Sequence, residues 1–380
     1  MTTSETSNPG NLIQPRLQLV AWEITRSCNL YCAHCRASAD SGPWENELST
    51  EECYRVIDEI LEVGKPIIIL TGGEPLARPD VLDIGKYATG KGLRVVMGSN
   101  GTLLTAEMAA QMKEVPISRV SISLDFPEAD LQDKFRGKKG AFDEAMTGLK
   151  NAQQAGIGIQ INCTITKLNV HLLEKTLELA REVGAVAFHP FLLVPTGRGK
   201  DLESVELSPD EYEKTLNWIY DKQLESGDSM FFKPTDAPHY MRIMKQRQAQ
   251  GDVLPPPQGH GAAGHGSASG HPSMQSATRG CLAGTGFSFI SHTGSVQGCG
   301  YFDLEAGNLR KESFAEIWNG SKLFCEMRDL SKLKGKCGVC EYKRICGGCR
   351  ARAYETTGDY LAEEPYCIYE PATRKGAVER

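Results

Sequence analysis

The sequence predicts an α/β fold built on a parallel β-sheet. Between residues 17 and 194, apolar segments of strand length alternate with segments of helix length, and the alternation repeats six times. Strands that are apolar along nearly their whole length are typical of a parallel sheet buried by helices. Six β–α units in succession fit either an open sheet or a sheet curled into a partial barrel. The expected strands are residues 17–25, 66–70, 93–98, 119–125, 159–166 and 185–194.

The helix boundaries carry their own signals. Ser49 precedes a helical pattern with Glu52 three positions later, which is the capping-box signature of a helix start. Gly156 and Gly184 each stand between a helical segment and a strand, where a glycine commonly ends a helix. A further helix is expected over residues 208–226.

Composition and charge exclude several classes of protein. Of the 380 residues, 40% are hydrophobic and 24% charged, and no apolar run has the length of a membrane span. The first residues, MTTSETSNPGNL, lack the basic start and apolar centre of a signal peptide. A net charge of −6 spread along the chain does not favour nucleic acid as a partner. We therefore expect a cytoplasmic protein that binds neither membrane nor nucleic acid.

Changes in composition divide the chain into five parts. A tail over residues 1–16 precedes a core over 17–230, and residues 231–278 bridge to a cysteine-rich module over 279–372, followed by a tail over 373–380. The core of the cysteine-rich module is expected to be too thin to stand alone. The bridge contains a stretch rich in Pro, Gly, Ser and His that we interpret as a flexible linker. Its histidines, which we do not expect to bind a metal ion, are His260, His265 and His271.

Thirteen cysteines are many for a chain of this kind. Without an export signal they favour metal or cluster binding over disulfides. Cys53, Cys163 and Cys325 lie alone in helix-like or strand-like patterns, and we expect them to be small buried hydrophobic residues. The other ten fall into two groups, within residues 28–35 and 281–367.

The first group, Cys28, Cys32 and Cys35, lies in the stretch CNLYCAHC directly after the first strand. This places the three thiols at the carboxyl edge of the parallel sheet, where α/β proteins bind ligands. Three thiolates on a 4Fe-4S cluster leave one iron open, and that iron can take the amino and carboxylate groups of a small molecule. Structural zinc, the alternative, requires a fourth ligand, and His34 is crowded by its neighbours.

The spacing CxxxCxxC after a first strand resembles the radical S-adenosylmethionine (SAM) superfamily, and so does TGGEP at residues 71–75 after the second strand. The resemblance implies a partial (β/α)6 barrel of the TIM type, with SAM bound to the open iron. It also implies that the reduced cluster cleaves SAM to methionine and a 5′-deoxyadenosyl radical, which takes a hydrogen atom from an unactivated C–H bond. The residues that the resemblance assigns to SAM binding are Gly72, Gly73, Glu74, Pro75, Ser99, Asn100, Ser123, Asp125, Arg136 and Asn162.

The second cysteine group resembles the SPASM extension of radical SAM enzymes, which carries auxiliary iron–sulfur clusters. The usual SPASM pattern is CxxCx5CxxxC, whereas here only two residues separate Cys346 from Cys349. The ligands that the resemblance assigns to one auxiliary 4Fe-4S cluster are Cys337, Cys340, Cys346 and Cys367. The cysteines left without a fourth partner are Cys281, Cys299 and Cys349. These three cysteines could bind a second cluster that has one open iron, or they could bind no cluster. For the whole module, the alternative is two structural zinc ions.

Three stretches resemble radical SAM enzymes that modify tetrapyrroles: AWEITRSCNLYCAHCRA, FLLVPTGRGK and CGVCEYKRICGGCRARAYETTGDYLAEEP. The first looks most like the haem b synthases of the siroheme-dependent pathway. That resemblance implies oxidative decarboxylation of two propionate side chains of iron-coproporphyrin III (coprohaem) to vinyl groups, which forms haem b. The alternatives are removal of acetate chains from 12,18-didecarboxysiroheme, a step of haem d1 synthesis, a SPASM peptide maturase, and a non-catalytic iron–sulfur electron carrier.

A substrate with four propionates needs cationic partners, and the arginine guanidinium pairs with carboxylates bidentately. We expect these contacts from Arg16, Arg36 and Arg198, with His189 and His239 as candidate ligands of the haem iron. The reactive group comes from SAM, so we assign no certain catalytic side chain. The expected partners are the tetrapyrrole and an electron donor such as ferredoxin or flavodoxin, and we expect a monomer in an oxygen-poor cytoplasm.

Overall fold

The computed structural model describes residues 11–227, 229–254 and 279–374. Ten strands within these residues form one sheet. Their bounds are β1 Leu19–Thr25, β2 Ile67–Gly72, β3 Arg94–Ser99, β4 Arg119–Ser123, β5 Gly158–Ile165, β6 Ala187–Leu192, β7 Phe231–Phe232, β8 Phe287–Ile290, β9 Ser295–Gln297 and β10 Glu305–Asn308. The predicted His-rich linker lies outside the described residues, together with His260, His265 and His271.

Helices connect the strands of the core and continue into the C-terminal part. The longer helices are α1 Thr50–Val63, α2 Val81–Gly90, α3 Ala106–Glu114, α4 Ala129–Arg136, α5 Ala141–Gln154, α6 Leu173–Glu182, α7 Pro209–Ser226 and α8 Tyr240–Ala249. Short helices near the C-terminus are Phe314–Gly320, Lys322–Arg328, Gly335–Val339 and Arg350–Thr357. Short 3-10 helices are Pro75–Ala77, Val170–Leu172, Gly197–Val205 and Leu330–Lys332. None of the described helices combines the length and the apolar character needed to cross a bilayer.

The predicted helix boundaries are confirmed. The Ser49 hydroxyl accepts a hydrogen bond from the amide of Glu52, and the Glu52 carboxylate accepts one from the amide of Ser49. Ser208 begins α7 with the same kind of capping box, which satisfies amides that a helix start leaves free. Gly156 and Gly184 have φ values of 67° and 72°, a left-handed conformation that suits glycine just past a helix end.

The strands β1 to β7 lie side by side in chain order and run parallel. Alternate side chains point to opposite faces: Val20 and Trp22 are fully buried against the helices, whereas Ala21, Gln160 and His189 line a cavity. Residues from every strand between β8 and β7 line this same cavity, so the sheet curls around it. The predicted α/β fold with a partial barrel is confirmed.

The cysteine-rich part belongs to the same sheet. Strand β8 pairs in parallel with β1, and β9 and β10 follow as antiparallel strands. The buried side chains of Phe302, Trp318 and Phe324 lie in a hydrophobic core that is continuous with that of the barrel. The barrel therefore supplies the packing that this part is predicted to lack, and the sheet continues across the boundary predicted near residue 279.

None of the thirteen cysteines, all of which lie in the described residues, forms a disulfide. Cys53 and Cys163 have no exposed surface, as predicted. The prediction for Cys325 is wrong, because its side chain is exposed. It lies on the short helix Lys322–Arg328, whose opposite face carries the buried residues Leu323, Phe324, Met327 and Arg328.

Candidate active site and cluster-binding cysteines

A cavity of about 490 Å³ lies inside the curve of the sheet. Three thiols reach it from the loop after β1, namely Cys28, Cys32 and Cys35. Three more reach it from the C-terminal part, namely Cys281, Cys299 and Cys349. The volume lies within the range of about 300–1,000 Å³ that is typical of small-molecule sites. One cavity thus joins two groups of thiols that are far apart in the sequence.

Hydrogen-bond donors point at the sulfur atoms of the loop after β1. The amide of Leu30 lies 3.4 Å from Cys28 Sγ, and the Asn100 side-chain nitrogen lies 3.8 Å from the same atom. Arg136 Nη1 lies 3.8 Å from Cys32 Sγ. Such donors stabilise a thiolate and tune a cluster that it binds. Asn100 and Arg136, predicted to contact SAM, therefore contact the predicted cluster ligands.

Burial opposes ionisation of these thiols when no iron is bound. It raises the pKa of Cys28 to about 12, while the Leu30 amide lowers that pKa and the Glu74 carboxylate raises it. It also raises the pKa of Cys32, against the lowering effect of Arg136. A bound metal reverses the balance, because a coordinating thiol is deprotonated outright. Three thiols that face a cavity fit an iron–sulfur cluster with one open iron.

The glycines of TGGEP lie against the end of β1. A Cβ on Gly72, whose φ is +154°, would lie 2.0 Å from the carbonyl oxygen of Thr25. A Cβ on Gly73 would lie 2.4 Å from the carbonyl oxygen of Ser27. Both glycines also line the cavity. Because neither position has room for a Cβ, glycine is required for β2 to lie close to the segment that leads into the cysteine loop. The sequence alone does not reveal this contact.

The Glu74 carboxylate joins the end of β2 to the end of β3. It accepts hydrogen bonds from Ser99 Oγ at 2.8 Å, from the amide of Asn100 at 2.7 Å and from the amide of Leu76 at 3.1 Å. Burial raises its pKa to about 7, although these three hydrogen bonds lower it. Pro75 is buried at the start of the adjoining 3-10 helix. Glu74 and Ser99 are thus hydrogen-bonded to each other. Their contact with SAM stays a prediction.

Asp125 and Arg136 form a buried ion pair next to the cysteine loop. Asp125 Oδ1 also accepts a hydrogen bond from the amide of Thr164 at 2.7 Å, which ties the end of β4 to β5. The predicted SAM contacts that line the cavity are Gly72, Gly73, Ser99, Asn100, Ser123, Arg136 and Asn162. The predicted SAM contacts that do not line the cavity are Glu74, Pro75 and Asp125.

The side chains predicted to bind the tetrapyrrole fall in three places. Arg36, Arg198 and His189 line the cavity. Arg16 is exposed and does not line it, because it precedes β1 whereas the cysteine loop follows that strand. His239 lines a smaller, separate cavity at the start of α8. The expected contacts of Arg16 and His239 with a molecule in the large cavity are therefore not supported.

Arg36 and Arg198 also have partners within the protein. Arg36 Nη1 lies 3.0 Å from the buried carboxylate of Glu23. Arg198 Nε donates to the carbonyl of Cys32 at 2.9 Å, and its Nη1 donates to the carbonyl of Ala39 at 2.8 Å. Arg198 Nη2 is buried without a hydrogen-bond partner. Arg198 thus holds the cysteine loop in place, while one of its nitrogens has no partner among the described residues.

The smaller cavity, of about 30 Å³, is lined by the four cysteines predicted to bind an auxiliary cluster. They are Cys337, Cys340, Cys346 and Cys367. The amides of Tyr342, Gly348 and Glu364 lie 3.3 to 3.4 Å from sulfur atoms of this group. Burial raises the pKa of Cys367 to about 11, so iron must displace a proton here too. Four thiols around one small space fit a fully ligated cluster.

Lys233 also lines the large cavity, and sequence reasoning does not find it. It directly follows β7, a strand of two residues that has no periodic pattern. Within the described residues its ammonium group has no hydrogen bond or ion pair, and burial lowers its pKa to about 8. Gln160, likewise unpredicted, lies 3.1 Å from His189 Nδ1 through its side-chain nitrogen.

Comparison with known families gives two matches. The model of the radical SAM superfamily matches residues 22–180, and that of the SPASM iron–sulfur cluster-binding domain matches residues 281–350. An AdoMet-dependent heme synthase of Methanosarcina barkeri is 48% identical over 94% of this chain and 98% of its own length. One of Nitratidesulfovibrio vulgaris is 50% identical over 94% of both chains. An Fe-coproporphyrin III synthase of Methanosarcina barkeri is 32% identical over 94% of this chain and 90% of its own length.

Solved structures share the fold. Streptococcus suis SuiB bound to S-adenosylmethionine has a TM-score of 0.71 at 15% identity, over 94% of this chain and 79% of that chain. The enzyme anSMEcpe with bound AdoMet and a peptide has a TM-score of 0.65 at 20% identity, over 93% and 94%. The protein is thus an AdoMet-dependent enzyme with a 4Fe-4S cluster in its core and auxiliary iron–sulfur cluster binding in its SPASM domain. This chain belongs to the radical SAM enzymes with a SPASM domain, in the family of the AdoMet-dependent haem synthases.

Proposed function

We propose that this protein converts iron-coproporphyrin III to haem b by oxidative decarboxylation of two propionate side chains. The observation that carries the proposal is the shared cavity of about 490 Å³. The three-cysteine loop, the second group of thiols and Lys233 all face it, and the Lys233 ammonium group has no partner in the described part of the chain. Relatives of 48% and 50% identity that are named heme synthases support the choice of substrate.

The reaction removes three things from each propionate: a hydrogen atom, carbon dioxide and an electron. Each propionate gives up one hydrogen atom from its β-carbon, one carbon dioxide and one electron, and leaves a vinyl group. The core cluster and SAM supply, when bound, the radical that takes the hydrogen atom, and the auxiliary clusters supply an acceptor for the electron. The residues of the chain hold the propionate next to the SAM site and exclude water. The hydrogen atom leaves in 5′-deoxyadenosine, so one SAM is consumed for each propionate.

Lys233 is the residue best suited to hold a propionate. Its ammonium group is half-buried against the cavity without a carboxylate partner among the described residues. A substrate carboxylate supplies that partner, and a hydrogen bond to a charged group contributes about 1.5–3 kcal/mol. The charge of Arg36 is already offset by Glu23, so Arg36 gains less from a propionate. The free Nη2 of Arg198 provides a second contact.

His189 is the candidate ligand for the haem iron. Its Nδ1 lies 3.1 Å from the Gln160 side-chain nitrogen, and its Nε2 is buried without a partner. Burial lowers the pKa of His189 well below its usual value, so the imidazole is neutral at physiological pH. Because the Gln160 side-chain nitrogen donates to Nδ1, the proton of the neutral ring lies on Nε2. Binding of iron through Nε2 therefore requires that this proton move to Nδ1 and that the Gln160 amide turn its oxygen toward Nδ1.

The proposal is tested by incubating anaerobic, reconstituted protein with SAM, dithionite and iron-coproporphyrin III. We expect haem b, identified by mass, and two molecules of 5′-deoxyadenosine for each haem. A variant with Ala at Cys28, Cys32 and Cys35 should form neither product.

The rival substrate is tested in the same way. With 12,18-didecarboxysiroheme in place of iron-coproporphyrin III, we expect no loss of acetate side chains. Loss of acetate from that substrate, together with unchanged iron-coproporphyrin III, would replace the proposal with the deacetylase alternative.

We propose the remaining partners from the needs of this reaction. The core cluster must be reduced for each SAM cleaved, and a ferredoxin or flavodoxin can serve as the donor. Oxygen destroys exposed iron–sulfur clusters, so the proposed location is an oxygen-poor cytoplasm. We also propose a monomer as the active form.

A further inference from the structure

Three thiols of the SPASM domain lack a fourth cysteine. Cys281 is fixed through its amide, which donates to the carbonyl of Cys346 at 3.0 Å. Cys349 is fixed through its amide, which donates to the Glu364 carboxylate at 2.6 Å. Cys299 follows β9, and all three thiols line the large cavity. A 4Fe-4S cluster usually has four protein ligands, so one ligand is missing from this set.

Asp236 lines the same cavity. Its Oδ2 is buried and has no hydrogen-bond partner among the described residues. A buried carboxylate oxygen without a partner is rare in a folded protein, and a bound ion is one of its explanations. The backbone of Asp236 also has a φ of +58°, a left-handed conformation that is uncommon for a residue with a side chain and that clusters at functional sites.

The chain fixes Asp236 beside one of the three thiols. Arg352 donates through Nη1 to the carbonyl of Asp236 at 2.9 Å, and its amide lies 3.5 Å from Cys349 Sγ. The hydroxyl of Tyr212 donates to the same Asp236 carbonyl at 2.8 Å. One residue thus contacts both Asp236 and Cys349, and the Asp236 carboxylate itself is left free.

The Asp236 carboxylate feels the charges of Arg352 and Arg36, but among the described residues it forms no ion pair. The guanidinium group of Arg352 lies 3.7 Å from Glu364, and its contacts with Asp236 are to the backbone. In the part of the chain that the structure describes, no Lys, Arg or His lies within ion-pair distance of the Asp236 carboxylate. The positive charge that this site lacks can come from iron.

We propose that Asp236 is the fourth protein ligand of a second auxiliary 4Fe-4S cluster, bound with Cys281, Cys299 and Cys349. Three thiolates and one carboxylate give each iron of the cube a ligand from the protein. This proposal rests on the cluster-binding SPASM domain and is independent of the substrate. Because the iron content is measured without a tetrapyrrole, its failure and the failure of the proposed function are distinguishable.

The test uses the full chain with Ala at Cys28, Cys32 and Cys35, which removes the core cluster. This background is compared with the same chain carrying Asp236→Ala, Asp236→Cys or Asp303→Ala. Asp303 is the matched control, an exposed aspartate of the same domain whose carboxylate accepts a hydrogen bond from Gln297 at 2.8 Å. Iron and sulfide are counted after anaerobic reconstitution, and the dithionite-reduced proteins are compared by electron paramagnetic resonance.

We expect about eight irons per chain in the background and in the Asp303→Ala variant, four for each auxiliary cluster. Asp236→Ala should lower the count to about four, or keep it at about eight with an altered resonance that shifts again when imidazole is added. Asp236→Cys should restore about eight irons with a resonance that differs from that of the background.

Three results would overturn the proposal. The background chain could hold only about four irons, in which case no second auxiliary cluster exists. Asp236→Ala could keep the iron count and the resonance of the background unchanged. Should Asp236→Ala fail to fold, Asp236→Cys decides, because a resonance identical to that of the background rules out aspartate as a ligand.

Discussion

The two ends of the chain hold their thiols in opposite ways. Near the N-terminus three cysteines face a cavity of about 490 Å³. Near the C-terminus a space of about 30 Å³ is surrounded by four, namely Cys337, Cys340, Cys346 and Cys367. A three-thiol site beside a large cavity leaves room for a small molecule on the open iron. A four-thiol site around a small space does not. Access and ligand number therefore separate a site that can bind a small molecule from a site whose cluster is fully ligated by the protein.

Both sites draw support from near and from far in the sequence. The N-terminal cysteines receive N–H···S contacts from the nearby amide of Leu30 and from the distant side chain of Asn100. Arg198, after β6, also holds the backbone of their loop. The C-terminal cysteines receive such contacts from the nearby amide of Tyr342 and from the distant amide of Glu364. A change far along the chain can therefore disturb either site.

The largest expected effect comes from removing one cysteine at each site. Cys32→Ala should abolish formation of 5′-deoxyadenosine, because the core cluster is lost. Cys340→Ala should keep SAM cleavage and lose haem formation, because the fully ligated auxiliary cluster is lost. Chromatography of 5′-deoxyadenosine and of haem from the same reaction separates the two results. Equal loss of SAM cleavage in both variants would contradict the division between the two sites.

A smaller effect is expected at Lys233. Lys233→Met should weaken binding of iron-coproporphyrin III by about 1.5–3 kcal/mol, because the substrate carboxylate loses a charged hydrogen bond. Titration followed by absorbance measures this affinity, and SAM cleavage should persist. Lys139→Met is the matched control, since Lys139 is exposed and does not line the cavity. Equal affinities for the two variants would remove Lys233 from the substrate site.

Arg198→Ala tests the side-chain support of the N-terminal loop. It removes hydrogen bonds to the carbonyls of Cys32 and Ala39, each worth about 1 kcal/mol, so the free energy of unfolding should fall by about 2 kcal/mol. Tetrapyrrole binding should weaken as well, and SAM cleavage should stay measurable. Denaturant unfolding and tetrapyrrole titration give the two numbers. An unchanged affinity would leave Arg198 with its role in the loop alone.

The smallest expected effect is on the pH dependence of binding. Burial lowers the pKa of Lys233 to about 8, so its charge is present below that pH and is lost as the pH rises through it. Affinity for iron-coproporphyrin III should fall above pH 8 by up to about tenfold per pH unit. Lys233→Arg should remove this fall, because a guanidinium stays charged. A decline of the same size in Lys233→Arg would assign the pH dependence to another group.

Much of the fold and the order of the cysteines follow from local patterns. The six core strands and the helix start at Ser49 are readable because apolar periodicity and capping act over a few residues. The clustering of Cys28, Cys32 and Cys35 can also be predicted, because the three residues lie within one short loop of the sequence. By contrast, Lys233 and Asp236 follow a strand of two residues, and only the curl of the sheet brings them to the cavity.

The places of three other side chains could not be predicted for a similar reason. Arg16 and His239 are chosen for their chemistry, which does not say on which edge of the sheet or in which cavity a side chain lies, and the structure places both outside the lining of the large cavity. The prediction for Cys325 fails because a helix of seven residues is too short to mark its buried face. The direction of each of these side chains depends on contacts between distant segments.

The parallel pairing of β8 with β1 has a consequence for how the protein can be produced. It covers one edge of β1, where Leu19 and Trp22 are buried. A fragment that ends before β8 would expose this apolar strand edge, which is a template for pairing with other chains. The barrel expressed by itself should therefore aggregate, even though every strand of its catalytic core is present.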